Sequence, residues 1–387
     1  FCPTPSSPNC DSNYYTNSWV SIHVYGNKIK TTKILSYSPT EHKITYDLAG
    51  KVPYDETDYD NHYLITNNLN ILDTSGEYYF DEATRKVVLY PLNNENPEGK
   101  VTISSRTSGI YFGSKSNIDI EGFIIQKMTG DSTFEGSSIS KSRSATGNNY
   151  IIKNNEIRYS RLVLVDYSSI DIFSCDNALI ENNYIHHTAG NLRGIWTSCS
   201  NSKVENNVLK NLAGTGIFIS GGIHTEVINN EIQDSNGIHG NGISAYQSSN
   251  GVLIANNKVI NSNIGLTIEG SGGGITRDVY IYNNIFDGKE NTEGLFRSWG
   301  NLAGNIEMLN NLFLNSIGNK AIIFDSDDST NARLIVKNNV IDGGWIANTG
   351  DDETGYNIYT GLLRSQVLIY GWSLQEVEIR EENLNNI

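Results

Sequence analysis

Eight Asn-Asn pairs recur along this chain at nearly one spacing: Asn154-Asn155, Asn182-Asn183, Asn206-Asn207, Asn229-Asn230, Asn256-Asn257, Asn283-Asn284, Asn310-Asn311 and Asn338-Asn339. Successive pairs are 28, 24, 23, 27, 27, 27 and 28 residues apart. Each sits in the frame apolar-x-Asn-Asn-x-apolar, as in Val204-Glu205-Asn206-Asn207-Val208-Leu209. A period this long and this regular means stacked structural units. Asn is one of the few residues that tolerates the left-handed backbone region. A column of Asn at one turn, each amide bonded to the next, is therefore expected to mark the sharp corner of a coil.

The rest of each unit agrees. Before most pairs runs a strand led by Gly, such as Gly194-Ile195-Trp196-Thr197-Ser198, Gly216-Ile217-Phe218-Ile219-Ser220, Gly242-Ile243-Ser244-Ala245-Tyr246 and Gly265-Leu266-Thr267-Ile268-Glu269. After each pair comes a short apolar-x-apolar piece. Three short strands and three turns fit into one unit, and nothing in it carries a helical period. Strands that pair with their counterparts in the next unit make an all-β fold, a three-sheet parallel β-helix. The crossover rule predicts a right-handed coil.

The net charge of −15 argues against a nucleic-acid partner. No stretch reaches the ~18 to 20 apolar residues that span a membrane. The opening Phe1-Cys2-Pro3 reads as the start of a processed or truncated product. Cys2 and Cys10 flank a Pro/Ser-rich loop and read as a disulfide, which with a Ser/Thr/Asn/Tyr-rich surface favours a secreted, extracellular protein. Cys175 and Cys199 occupy matching frames 24 residues apart, so they should stack on adjacent coils, either bonded or as free thiols.

Residues 1–100 do not follow the repeat. They hold strand-like runs, Trp19 to Val24 and Lys43 to Tyr46, and an aromatic-rich hairpin from Gly76 to Pro91. Coils are expected over 101–361. Residues 362–387 turn charged and irregular and should cap the open end. The coils resemble the right-handed parallel β-helix superfamily of pectate-lyase-like proteins. The hairpin resembles one often inserted before the main coils of carbohydrate-active β-helix enzymes, several glycoside hydrolase families among them. In those relatives more β-helix precedes the hairpin, which implies that a neighbouring chain or an N-terminal fragment completes that end here.

The resemblance implies that substrate lies along the first-strand sheet. With Ile195, Ile217, Ile243, Leu266 and Ile322 inward, alternation places Asp171, Phe173, Trp196, Phe218, Ser244, Tyr246, Thr267, Glu269 and Asp325 outward. Strict counting turns Arg297 inward, which an apolar core resists. A one-residue slip would bring Arg297 and Trp299 out, and that slip is the preferred register. Aromatic rings suit sugar faces, and acids suit the glycosidic bond. Glu269 and one of Asp325, Asp327 or Asp328 are the candidate acid and base, with His239, in a Gly-rich turn, and Arg297 placing the substrate. Trp196, Phe218, Tyr246, Trp299 and Asp171 are the candidate substrate contacts. The Asp327-Asp328 pair resembles the adjacent aspartates of polygalacturonase-type hydrolases. However, Arg297 and Ser298 stand one coil earlier where that pattern has a third Asp, and the His-Gly turn precedes the pair.

Three functions follow in order. The first is a glycoside hydrolase acting on a polysaccharide or oligosaccharide, with no cofactor required. The second is a polysaccharide lyase, with Lys141, Arg143, Arg193 or Arg297 as base or cation and acids such as Asp171 holding Ca²⁺. The third is a non-catalytic adhesin or spike.

Overall fold

The structure is a computed structural model and describes residues 11–24, 28–50, 53, 63–130, 137–162, 167–190, 192–237, 240–270, 274–288, 294–316, 319–325, 331–347, 353–355 and 357–360. The Cys2/Cys10 pair and the 362–387 cap lie outside these residues. Contacts divide the chain into one compact unit up to Ser104 and a second from Ser105 onward. In the first unit an antiparallel sheet has the spatial order Lys43–Tyr46, Lys28–Ser38, Trp19–Val24, Tyr63–Thr66. Tyr15, Val20, Ile22, Ile34 and Tyr37 pack in its core. The expected hairpin is present, Tyr78–Asp81 paired antiparallel with Lys86–Leu89.

The second unit is a right-handed parallel β-solenoid of three ten-stranded sheets. Its first paired strand is Ile110–Tyr111 and its last Ile358–Thr360. Among the described residues the only helical segments are two short 3-10 turns in the first unit. In the first sheet, Ile170, Ile195, Ile217, Ile243, Leu266, Phe296 and Ile322 stack rung on rung with their side chains sealed from solvent. A small parallel sheet that the sequence did not announce follows the third strands of the early coils: Thr129–Gly130, Arg161–Leu162 and Ala189–Gly190.

The Asn pairs divide their labour. The first Asn of each pair has φ between 53° and 58°, the left-handed corner residue. In the opening coil Gly122 takes that role at φ 76°. The second Asn is buried and builds the ladder. Asn207 Oδ1 accepts from the backbone N of Asn183 at 2.9 Å and from its Nδ2 at 3.0 Å. Asn207 N and Nδ2 in turn donate to Asn230 Oδ1, each at 3.0 Å, and Nδ2 also reaches Ile180 O at 2.9 Å. The column continues past the last pair to Asn357, whose Oδ1 receives Asn339 N and Nδ2. The glycines that lead the first strands mark close approach between coils: a Cβ on Gly216 would sit 2.6 Å from Gly242 O. Cys175 and Cys199 do stack on adjacent coils, with Cα atoms 4.4 Å apart, and are joined as a disulfide.

Asn207→Leu keeps the branched shape but strands the amide groups of both neighbours, and is expected to cost about 1 to 3 kcal/mol in urea unfolding. Asn206→Gly, one residue earlier at a corner glycine can adopt, should be close to neutral. Equal effects from the two changes would contradict this division of roles.

Candidate functional site

The outer face of the first sheet carries two aligned rows. One runs Asp171, Trp196, Phe218, Ser244, Thr267, Arg297, Ile323, and the other Ser220, Tyr246, Glu269, Trp299, each residue the rung partner of the next, with Asp325 the register partner of Trp299. Arg297 faces outward because Phe296, not Arg297, fills the inward place opposite Leu266. The structure therefore has the register that the slip required. Glu269 and Asp325 flank Trp299 and stand two rungs apart, about 9 to 10 Å along the sheet.

The rings on these rows touch edge to face. Centroid distances are 4.5 Å for Phe173 and Trp196, 5.2 Å for Trp196 and Phe218, 5.1 Å for Phe218 and Tyr246, and 5.8 Å for Tyr246 and Trp299. Such pairs add about 0.5 to 1.5 kcal/mol beyond the area they bury. Two guanidinium groups lie over one end of the series. Arg143 sits 4.6 Å from the Tyr167, Phe173 and Trp196 rings alike, and Arg193 sits 4.2 Å from Trp196 and 4.4 Å from Phe218. Trp196 and Phe218 consequently keep only 9 % and 5 % of their surface. They occupy the outward positions expected of them, but they are covered by Arg side chains and offer no open face to a sugar. The partly exposed members of the rows are Tyr246, Glu269, Arg297, Trp299 and Ile323, with Arg297 5.4 Å from the Trp299 ring.

Beneath this open segment lies a buried polar network. Ser244 and Thr267 hydroxyls are 2.7 Å apart, and Asn241 Nδ2 donates to both, at 3.4 and 3.3 Å. Burial raises the Tyr246 phenol well above its ordinary range, and the charge of Glu269 pushes it further the same way. Tyr246 therefore stays a neutral hydroxyl at any ordinary pH.

Asp171 lies at the covered end and is buried. Its Oδ2 accepts from Arg143 Nη2 at 2.6 Å and from Ser137 Oγ at 3.3 Å. Its Oδ1, also buried, has no hydrogen-bond partner among the described residues. Desolvation raises this carboxyl to about 6, against the opposing pull of Arg143. Lys141, offered by the sequence as a base, turns inward, where its ammonium is held by the carbonyls of Ser142, Ala145 and Phe173. It braces the strand end and is not presented to the outer face.

Of the remaining candidates, His239, Asp327 and Asp328 lie outside the described residues. Asp325 is placed by its strand, as rung partner of Trp299. Among the described residues no three His, Cys, Asp or Glu stand together as a metal site. Sequence reasoning missed Arg143 and Arg193 as ring-covering groups. Counting from Ile195 puts Arg193 on the inward side, yet its guanidinium lies over the outward rings. Arg143 lies between strands, where no alternation applies.

A family model described as "Right handed beta helix region" matches residues 99–239. No curated protein matches the chain. A solved structure titled "Glycoside hydrolase" is similar in fold, with a TM-score of 0.55 and 11 % identity, over 90 % of this chain and 68 % of that one.

The raised Asp171 carboxyl ties stability to pH. The folded protein holds this proton up to about pH 6, whereas an unfolded Asp releases it near 4. Stability should therefore fall as pH rises from about 4 to 6, by up to roughly 3 kcal/mol from this group. Asp171→Asn should flatten that part of the stability profile in urea unfolding at stepped pH. An unchanged slope would show that Asp171 titrates normally.

Proposed function

We propose that this chain is a secreted glycoside hydrolase that degrades an extracellular polysaccharide, with Glu269 and a carboxylate at the next acidic turn as its acid and base. The observation that carries the reading is the order Tyr246, Glu269, Trp299 on successive rungs, one carboxylate framed by two accessible rings. The rings suit the apolar faces of consecutive sugars. Arg297, against Trp299, supplies donors that orient the hydroxyls. Asp325 is the nearest strand-placed partner for Glu269. Their backbone separation of about 9 to 10 Å is compatible with the ~6.5 to 9.5 Å between carboxyl groups that leaves room for water in an inverting mechanism. Asp327, Asp328 and His239 remain proposed members of the site from their sequence positions. No cofactor is required for such a reaction, and Ca²⁺ would at most support the acidic turn.

A lyase is the second reading. What favours it is that Arg143 and Arg193 converge over Trp196, a cationic patch that would neutralise a uronate. It ranks lower because Lys141 is committed to carbonyls and Arg143 is ion-paired to Asp171. A guanidinium next to a carboxylate keeps its proton and makes a poor base.

Glu269→Gln should lower turnover by about 10² to 10⁴-fold in a reducing-sugar assay and leave the melting temperature nearly unchanged, because the amide replaces an outward acid. Near-normal turnover in both Glu269→Gln and Asp325→Asn would remove the hydrolase assignment, and unsaturated products seen by ultraviolet absorbance would move it to the lyase. Tyr246→Ala should weaken polysaccharide binding by more than it lowers stability. Unchanged affinity for a known substrate would count against this face.

A further inference from the structure

The first unit holds a cavity of about 760 Å³ within its own antiparallel sheet and loops. This is the size and mostly apolar character of a small-molecule site. Four tyrosines line it, Tyr15, Tyr37, Tyr46 and Tyr63, with isoleucines between them and Glu41, His42 and Lys43 also in its wall. Tyr15 and Tyr37 are buried and meet edge to face at 4.9 Å. Tyr15 is held above its ordinary range by burial first and then by the neighbouring phenols Tyr14, Tyr37 and Tyr63. The Tyr37 hydroxyl is buried and has no hydrogen-bond partner among the described residues. A buried phenol without a partner is costly, and such a group is commonly completed by water or ligand.

The lining selects the chemistry of a guest. A purely apolar guest would leave the buried Tyr37 hydroxyl unpaired. An anion would face Glu41, and a cation would face Lys43. A neutral guest with flat apolar faces and hydroxyls around its rim meets all of these groups, because tyrosine rings cover the faces and phenols exchange hydrogen bonds with the hydroxyls. We infer that this pocket is a second carbohydrate site and takes a neutral sugar residue. The inference goes beyond the β-solenoid reading and does not depend on it, since the pocket is built by the first unit alone.

Saturation-transfer NMR on the full chain tests it. The probes are methyl β-glucoside, methyl β-galactoside, methyl α-mannoside and methyl β-xyloside, with methyl β-glucuronide as the charged control. At least one neutral glycoside should receive saturation. Tyr37→Phe, which keeps the ring, should weaken that binding about five-fold, as expected for one lost hydrogen bond. Tyr46→Ala and Tyr63→Ala, which remove half-buried and exposed rings, should each reduce it further. Polysaccharide turnover should be unaffected in all three variants. No transfer to any neutral glycoside, transfer to the glucuronide alone, or transfer that survives the tyrosine changes would overturn the proposal. The last outcome would place the sugar on the solenoid. Loss of turnover in Glu269→Gln is a separate measurement, so the two readings can fail independently.

Discussion

The buried amide-to-amide contact at the coil corner is the interaction on which the rest of the second unit depends. From Asn183 to Asn339 each internal Asn receives two hydrogen bonds from the coil before it and passes two to the coil after it. That fixes each coil's rotation relative to its neighbour. A slip of one residue would move the apolar set out and the polar set in, and would also break the ladder. With rotation fixed, Ile217 falls on Ile195 and Ile243 on Ile217, and the outward residues align as a consequence. The order Tyr246, Glu269, Trp299 inherits its register from a column of amides at another corner of the coil.

The first sheet is then divided by electrostatics. At the end near Asp171 the rings are closed off by Arg143 and Arg193, which trade hydration for contact with aromatic faces and, for Arg143, with a buried carboxylate. Partly desolvated cation–π contacts of this kind are worth about 1 to 2 kcal/mol each. Toward Trp299 one guanidinium, Arg297, leans on one ring, and the acid between the rings is partly exposed. The same residue types thus do different work along one row: structural where two arginines meet the rings, accessible where a carboxylate separates them.

What the sequence revealed follows from which signals are local. The corner was legible because Asn in a left-handed turn leaves a doublet. Its last rung was not, because Asn357 stands alone after Gly355-Tyr356. A second, exposed Asn column, Asn117, Asn149 and Asn177, was also missed, since only Asn149 belongs to a doublet and that doublet lacks the apolar-x-Asn-Asn-x-apolar frame. Alternation placed Trp196, Phe218 and Glu269 on the outer face, and the bulk of Phe296 settled Arg297. Burial was not legible. Trp196 is covered by Arg193, three residues away on the side that counting turns inward, and by Arg143, 53 residues away in sequence, and no strand pattern carries either contact. Lys141 had a usable clue: two residues after inward Ile139 it should point inward, and it does.

The corner geometry also decides where the chain can change length. The inward residue of the second strand stands three positions before the ladder Asn in coil after coil: Val204 before Asn207, Val227 before Asn230, Ile281 before Asn284. The first inward residue of the third strand stands two positions after it, at Leu209, Ile232 and Phe286. From the first strand to the ladder, by contrast, the path is 12 residues from Ile195 to Asn207 but 18 from Leu266 to Asn284. From the ladder to the next first strand it is 15 residues from Asn155 to Ile170 but 9 from Asn257 to Leu266. Insertions and deletions are thus confined to the two margins of the sheet that carries Glu269. The loops along those margins can be lengthened, shortened or replaced one coil at a time while the corner beneath stays unaltered, so a scaffold of this kind can acquire a new rim around its outer sheet without refolding its core.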